Sequence, residues 1–505
     1  MDFVSFGFYV FLSLVLIAYY ALPLQSRWCM LLVGSLSYFY LVTRSFPALL
    51  VFLGITALSY LLGLANESYR LKCVKSYTRG GTSSTLQSET LRSNLAKRRL
   101  LLTVSIILVL LPLCIVKYAP ALASVEDLFD LKRGVIVPIG LSFFTMQIIA
   151  YLVDVYKGKI TAQHNLFKYA LFVSFFPQIL QGPIPRYEQL EGQLLEGHKF
   201  DEAGFTKGFM LIIWGFFLKL MIADKAKVVV DAVFASPNAY KGAFVLVGGI
   251  LYSVQLYTDF LACVTLAQGA SQMFGIHLAE NFAHPYFALS IKEFWGRWHL
   301  SLSTWLRDYV YIPLGGSRKG ALRKHLNVIA TFFASGLWHG NGPQFIAWGM
   351  MHAFYQIAGA LTKDARDRAV EAIGIPRDCS IRKHISRACT FFLAMCAWIM
   401  FRAPSLCDGI FMLKSMFTTY NPWIFFDDSL LRLGLGWKDC IVLVFSIALH
   451  IRVSLWQEEF CIRDHILSWP FCARCALYAF SVIAIMAFGT YGFGFNAADF
   501  IYRGF

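Results

Sequence analysis

Long apolar runs recur along almost the whole of this chain, and they decide what it can fold into. A helix needs about 20 predominantly apolar residues to cross the hydrocarbon layer of a bilayer. Runs of that kind lie near 3–22, 28–43, 47–65, 100–117, 135–153, 167–183, 207–223 and 243–262. They resume near 327–340, 343–362, 388–403, 438–456 and 474–493, while a patch at 408–417 is too short to count. Composition agrees: 57% of the 505 residues are hydrophobic and 15% are charged, where a soluble domain carries roughly 25% charged residues. The expected fold is all-α, a polytopic integral membrane protein of about eleven to thirteen transmembrane helices, some short or re-entrant. No soluble domain, internal repeat or coiled coil is visible. The start, Met1-Asp2-Phe3, lacks a basic n-region, so the first run is read as a retained span.

The formal charge of +15 does not point to nucleic acid. The cations gather in loops between apolar runs, where Lys and Arg mark the cytosolic side. The 65–100 loop carries Arg70, Lys72, Lys75, Arg79, Arg92, Lys97, Arg98 and Arg99 against Glu67 and Glu89. That excess places it in the cytosol, and the three spans before it place the N-terminus outside. Lys157 and Lys159, then Lys219, Lys225 and Lys227, are expected in further cytosolic loops. The 118–134 and 185–206 loops have no basic excess and are expected outside, and the 363–387 loop inside. Gly80–Thr85 forms a flexible Gly/Ser/Thr stretch within the first basic loop. Cysteines such as Cys114, Cys263 and Cys396 act as small apolar residues in these runs. Cys472 and Cys475 form a C-x-x-C with no second pair at zinc spacing, and no metal is expected.

Residues 277–325 break the membrane pattern. Lys292, Glu293, Arg297, His299, Arg307 and Asp308 are interleaved there with Phe294, Trp295, Trp298, Trp305, Tyr309 and Tyr311. Placed on one helix, Trp298, Trp305 and the Trp295–His299 pair fall near one face. Two readings stand: an interfacial helix anchored by aromatics and basic residues, or a functional path, since ionisable groups at membrane depth are costly. His339 favours the second. It ends an apolar run in Gly336-Leu337-Trp338-His339-Gly340, and it repeats the Trp-His pair of Trp298-His299. An imidazole there can accept a proton near neutral pH.

At these residues the chain resembles the membrane-bound O-acyltransferases, in the branch of the alginate O-acetyltransferase and the teichoic-acid D-alanyl transferase. The likeness is carried by Asn281-Phe282, Pro285-Tyr286-Phe287, the run Phe294 to Ser303 (FWGRWHLSLS), Trp305 to Tyr311 (WLRDYVY) and Pro313 to Gly316. It closes with Gly336 to Gly340 (GLWHG) and Trp348 to His352 (WGMMH). Upstream, Val137 to Phe144 (VPIGLSFF), Asp154-Val155-Tyr156 and Phe176-Pro177-Gln178 through Arg186-Tyr187 also fit. Two departures from the family pattern stand: Leu261 to Thr265 after Asp259-Phe260, which bears on pocket shape and acceptor, and Gly296 before Arg297.

The resemblance implies a membrane domain whose core is residues 1–365, with 366–505 as a C-terminal transmembrane extension. It implies a central outward funnel meeting a narrow cytosolic tunnel. His339 would lie at the base of the funnel as the catalytic base, and His299 would orient or polarise a thioester near the inner mouth. Trp298, Arg307 and Asp308 would shape the inner entrance, and Asn281 and Trp338 would border the same site, as scaffold or as substrate contacts. His352 is open between a polar group of the cavity and a membrane-edge histidine.

The implied reaction moves an acyl group, acetyl in first place, from a cytosolic thioester to hydroxyls of a cell-surface polysaccharide. The donor would be acetyl-CoA or an acyl carrier protein, with no bound cofactor, and a secreted or anchored esterase-like partner would complete the transfer. The expected location is the plasma membrane. No nucleotide-binding motif is present. D-alanyl transfer to teichoic acid remains an alternative within the class. A transporter is the alternative outside it, without the repeat symmetry that transporters commonly show.

Overall fold

The computed structural model describes residues 3–78, 85–118, 140–179, 182–374, 376 and 379–491. The proposed outer loop at 118–134, the Gly80–Thr85 stretch up to residue 84, and Val137 to Ile139 lie outside the described residues. Among those described, every regular element is helical. Seven helical stretches are long and apolar enough to cross a membrane: Phe46–Val74, Ser93–Tyr118, Glu202–Ala235, Ala243–Gln272, Ser380–Arg402, Trp437–Gln457 and Phe471–Phe488. Other expected spans fall on shorter apolar helices, such as Phe6–Ala21 and Leu166–Ser174, or on less apolar ones such as Ala321–His339. Their outward faces suit lipid rather than water: Phe471–Phe488 buries only Ile485, and Phe480, Ile483 and Met486 are all exposed. The protein is therefore a multi-pass all-α membrane protein.

The chain packs as two compact units. The first comprises Met1–Phe205 with Ala270–Ala279. It holds α1 (Phe6–Ala21), α2 (Arg27–Thr43), α3 (Phe46–Thr78), α4 (Thr85–Tyr118), α5 (Leu141–Lys157), α6 (Leu166–Ser174) and α7 (Tyr187–Leu195). Aromatic rings fill its interior: Phe8, Phe11, Tyr38 and Phe176 meet edge-on or tilted at 5.4–6.4 Å. Buried polar groups are tied to backbone, as an apolar interior requires. Gln147 donates to the Phe172 carbonyl at 2.6 Å, and Glu67 accepts from the Ala162 amide at 3.0 Å.

The second unit comprises Thr206–Gly269 and Glu280–Phe505. Its first span is continuous where the sequence suggested a cytosolic loop. α8 (Glu202–Phe216) passes through a π-helical turn at Phe217–Ala223 into α9 (Asp224–Ala235). Lys219 is not in a loop but inside this span, 1% exposed, with its Nζ 2.8 Å from both Asp224 and Asp259. Lys225 is buried on the same span and pairs with Asp439. The carboxylates hold the ammonium groups in place of water, which is why these lysines need not mark a loop. α10 (Ala243–Gln272) follows, and brings Asp259 to Lys219.

The polar, aromatic stretch is not one helix either. It forms α11 (Ile291–Trp295) and α12 (Leu300–Leu306), separated by a break in which His299 takes a left-handed φ of 44°. The single-helix face expected for Trp295, Trp298, His299 and Trp305 therefore does not exist. A π-helical turn at Arg307–Tyr311 ends α12.

α13 (Ala321–His339) and α14 (Pro343–Leu361) then form a tight helical hairpin. Glycines permit their close approach: a Cβ on Gly349 would lie 2.4 Å from the Phe332 carbonyl oxygen, and one on Gly336 2.7 Å from that of Phe345. α15 (Lys363–Ala372), α16 (Ser380–Arg402), α17 (Leu406–Thr418), α18 (Trp437–Gln457), α19 (Ile462–Leu467) and α20 (Phe471–Phe488) complete the unit.

Candidate active site

The break before α12 is held from outside the helix. The Asn281 carbonyl accepts from the Leu300 amide at 2.9 Å, and its side-chain oxygen accepts from the Ser301 amide at 3.2 Å. Asn281 thus takes two of the amide groups that a helix start leaves without an intrahelical partner. The Arg297 carbonyl accepts from Ala283 at 3.0 Å, tying the same two segments together. Pinned on both sides, His299 sits at the N-cap of α12, 1% exposed, in a backbone conformation uncommon for a residue with a side chain. Its ring meets Phe260 edge-on at 4.7 Å and lies 6.3 Å from the Trp338 ring.

Trp338 and His339 end α13. The His339 ring is 4.7 Å from Trp338, 4.9 Å from Trp348 and 5.3 Å from Phe401, each edge-on, and the residue is buried. Gly340, the next residue, has no room for a Cβ, because the Phe345 ring would lie 2.1 Å from it. The helix stops at His339 and the chain turns directly into α14 through Gly342-Pro343, with Pro at the first helical position.

The two histidines singled out in the sequence are therefore brought to one cluster, with Trp338 between them. Trp298 is part of the same aromatic mass, stacked on Phe294 at 5.5 Å and 4.9 Å from Trp398. Arg307 and Asp308 are placed differently. They pair with each other at 2.8 Å on the π-helical turn, and the Arg307 side chain is 59% exposed.

Three further residues belong to the cluster, all buried: Trp295 and Trp348, which the sequence reading named only within motifs and gave no role, and Trp398, which it did not name. His352 was open between two readings, and the structure places it in the aromatic cluster. It is 0% exposed and surrounded by Phe294, Trp295, Phe332 and Trp348. Its Nδ1 accepts a hydrogen bond from the Trp295 indole at 3.2 Å. The spacing in WGMMH offered one signal, since Trp348 and His352 are four apart and share a helix face. Chemically, the arrangement gathers three imidazoles and five indoles where water is scarce, which suits proton transfer to and from a buried reactant.

The model of the family described as MBOAT, membrane-bound O-acyltransferase, matches residues 71–403. The chain is 34% identical over 425 residues to the probable alginate O-acetylase of Pseudomonas putida, covering 82% of this chain and 79% of that protein. It is 34% identical over 307 residues to the peptidoglycan O-acetyltransferase of Helicobacter pylori, covering 56% and 57% of the two chains. Similarity to the teichoic acid D-alanyltransferase of Bacillus subtilis is 30% over 261 residues, covering 49% and 65%.

Proposed function

The chain belongs to the membrane-bound O-acyltransferase family, and from that premise we propose that it moves an acetyl group from a cytosolic thioester to hydroxyls of a cell-surface polysaccharide, with His339 as the base. The single observation that carries the role of His339 is its place beside Trp338, Trp348 and Phe401, in a cluster that also takes in His299. A thioester is activated toward acyl transfer, yet a hydroxyl attacks it slowly unless a base takes the proton as the bond forms. His339 Nε2 or Nδ1 takes that proton, the hydroxyl oxygen bonds to the carbonyl carbon, and the C–S bond breaks. The thiolate leaves with the proton from His339, so the products are an ester and a free thiol. Burial among aromatic rings keeps bulk water from competing with the hydroxyl. His299, held by the Asn281 clamp, orients the thioester. Arg307 and Asp308 take part at the entrance rather than at the reacting carbon, as their exposure suggests.

Acetyl is favoured over D-alanyl by the relatives. The probable alginate O-acetylase of Pseudomonas putida matches at 34% identity over 82% of this chain and the peptidoglycan O-acetyltransferase at 34% over 56%, against 30% over 49% for the D-alanyltransferase. The donor is acetyl-CoA or an acyl carrier protein. The acceptor is a surface polysaccharide at the plasma membrane, acylated directly or through a secreted or anchored esterase-like partner. Residues 366–505 extend the same membrane domain.

The test is polymer-bound acetate in the native host. His339→Ala should abolish it while the protein stays in the membrane at its normal level. Normal acetate at full expression would remove His339 from the chemistry. Loss of esterified D-alanine with acetate unchanged would move the assignment to the other branch.

A further inference from the structure

A transferase of this kind needs more than a base. Negative charge develops on the carbonyl oxygen as the hydroxyl attacks, and hydrogen-bond donors aimed at that oxygen are commonly the largest single contribution to rate. The aromatic cluster contains two candidates that the reading above does not use.

The first is His352. The Trp295 indole is a donor only, and it lies 3.2 Å from His352 Nδ1. Nδ1 must therefore be the acceptor, and the single ring hydrogen of the neutral imidazole is on Nε2. His352 is fixed as a donor, not a base. That Nε2 is buried and meets no acceptor among the described residues. The second candidate is the Trp348 indole, whose Nε1 is likewise buried without an acceptor among the described residues. The two rings meet edge-on at 5.3 Å, and Trp348 is 4.9 Å from His339. Unanswered donors in an apolar interior are rare, because nothing replaces the water they gave up. A pair of them in one cluster, one of the two against the proposed base, calls for an acceptor that arrives from outside the protein.

We infer that His352 Nε2–H and Trp348 Nε1–H form a two-donor site for the carbonyl oxygen of the acyl group in transit. The inference rests on the reading of His339 as base. As the hydroxyl oxygen bonds to the carbonyl carbon, the C=O π pair moves onto the oxygen, and the two N–H groups receive the resulting oxyanion. When the pair returns, the C–S bond breaks and the thiolate departs with the proton held by His339. Trp295 is a positioning residue, since it acts by setting the tautomer of His352. The same description explains why α14, whose other buried residues are Trp348, Gly349 and Ala353, carries a histidine at its buried face: a hydrocarbon side chain would fill the space but donate nothing.

The test compares His352→Gln, which keeps an N–H donor on a side chain of similar length, with His352→Met, which keeps the length and loses the donor. Inside-out membrane vesicles from the host, supplied with acetyl-CoA, would be assayed for polymer-bound acetate. Membrane level and thermal stability of each variant are measured in parallel. The Met variant should lower kcat about 100-fold, as loss of one such donor does elsewhere, with the KM for acetyl-CoA within about two-fold of wild type, because the interaction is made only in the transition state. The Gln variant should recover at least about tenfold of that loss. Trp348→Phe should resemble the Met variant. Wild-type kcat in the Met variant, or equal losses in Met and Gln, would reduce His352 to packing and overturn the inference alone. Vesicles of the wild-type protein that use neither acetyl-CoA nor an acetylated acyl carrier protein would overturn the underlying reading and take this inference with it.

Discussion

His299 carries two demands at one position, and they can be separated. Its backbone has a φ of 44°, and its imidazole is buried against Phe260. An alanine there removes the ring but also strains the backbone, since left-handed geometry costs an ordinary side chain roughly 1–2 kcal/mol. Asparagine tolerates that geometry better than most residues. His299→Asn should therefore keep the break before α12, the Asn281 clamp and normal membrane levels. It should still lower acetyl transfer more than about tenfold, because misplacing a bound reactant by small distances is costly. Polymer acetate per unit of membrane protein is the measurement. An Asn variant with unchanged turnover would show that the position serves the backbone alone. Both histidines could be found from sequence because each follows a tryptophan inside a long motif. The tautomer of His352 could not, since it depends on Trp295, fifty-seven positions away on another helix.

Among the elements, the continuous span from Glu202 to Ala235 departs most from its sequence pattern. A positive-inside reading takes Lys219, Lys225 and Lys227 as a loop signal. The rule counts cations and cannot see that Asp224 and Asp259 converge on Lys219, the latter from a helix forty residues later. The π-helical turn at Phe217–Ala223 accompanies this cluster and is equally invisible to a periodicity of 3.6. Lys219→Met should be strongly destabilising. It leaves two buried carboxylates facing each other, and breaking a buried pair by removing one partner typically costs about 3–5 kcal/mol. Pairing it with Asp224→Asn and Asp259→Asn should restore much of the loss. Thermal unfolding of the purified proteins in detergent would show it. A single mutant as stable as wild type would mean that Lys219 does not neutralise the cluster. The same limit explains the broken helix at 296–299: its hydrophobic spacing fits a helix, but the Asn281 contacts that interrupt it come from another segment.

On the scale of the molecule, membrane class and family were legible from apolar run lengths and from the 281–352 motifs, because both are local properties of the chain. Sidedness follows from how charge is distributed along one element. α13 begins beside Arg318, Lys319, Arg323 and Lys324, all exposed, and ends at buried His339. From Ala321 to His339 the helix rises about 27 Å at 1.5 Å per residue, close to the thickness of the hydrocarbon layer. The basic group therefore cannot touch the reacting carbon, and any effect it has must act on capture of the donor. Coenzyme A and acyl carrier proteins are both anionic, so a cationic patch at the donor's entrance raises its local concentration in a salt-dependent way. Reversing all four charges to Glu should raise the KM for the donor about tenfold or more at low salt, flatten its salt dependence, and leave kcat and acceptor affinity unchanged. Inside-out vesicles with acceptor sealed in the lumen and labelled acetyl-CoA outside provide the assay. Transfer under those conditions requires the acyl group to pass through the protein while donor and acceptor stay on opposite sides. Transfer that occurs only when both share one side would refute the through-membrane route, and an unchanged KM in the charge-reversed protein would move the donor entrance away from the start of α13.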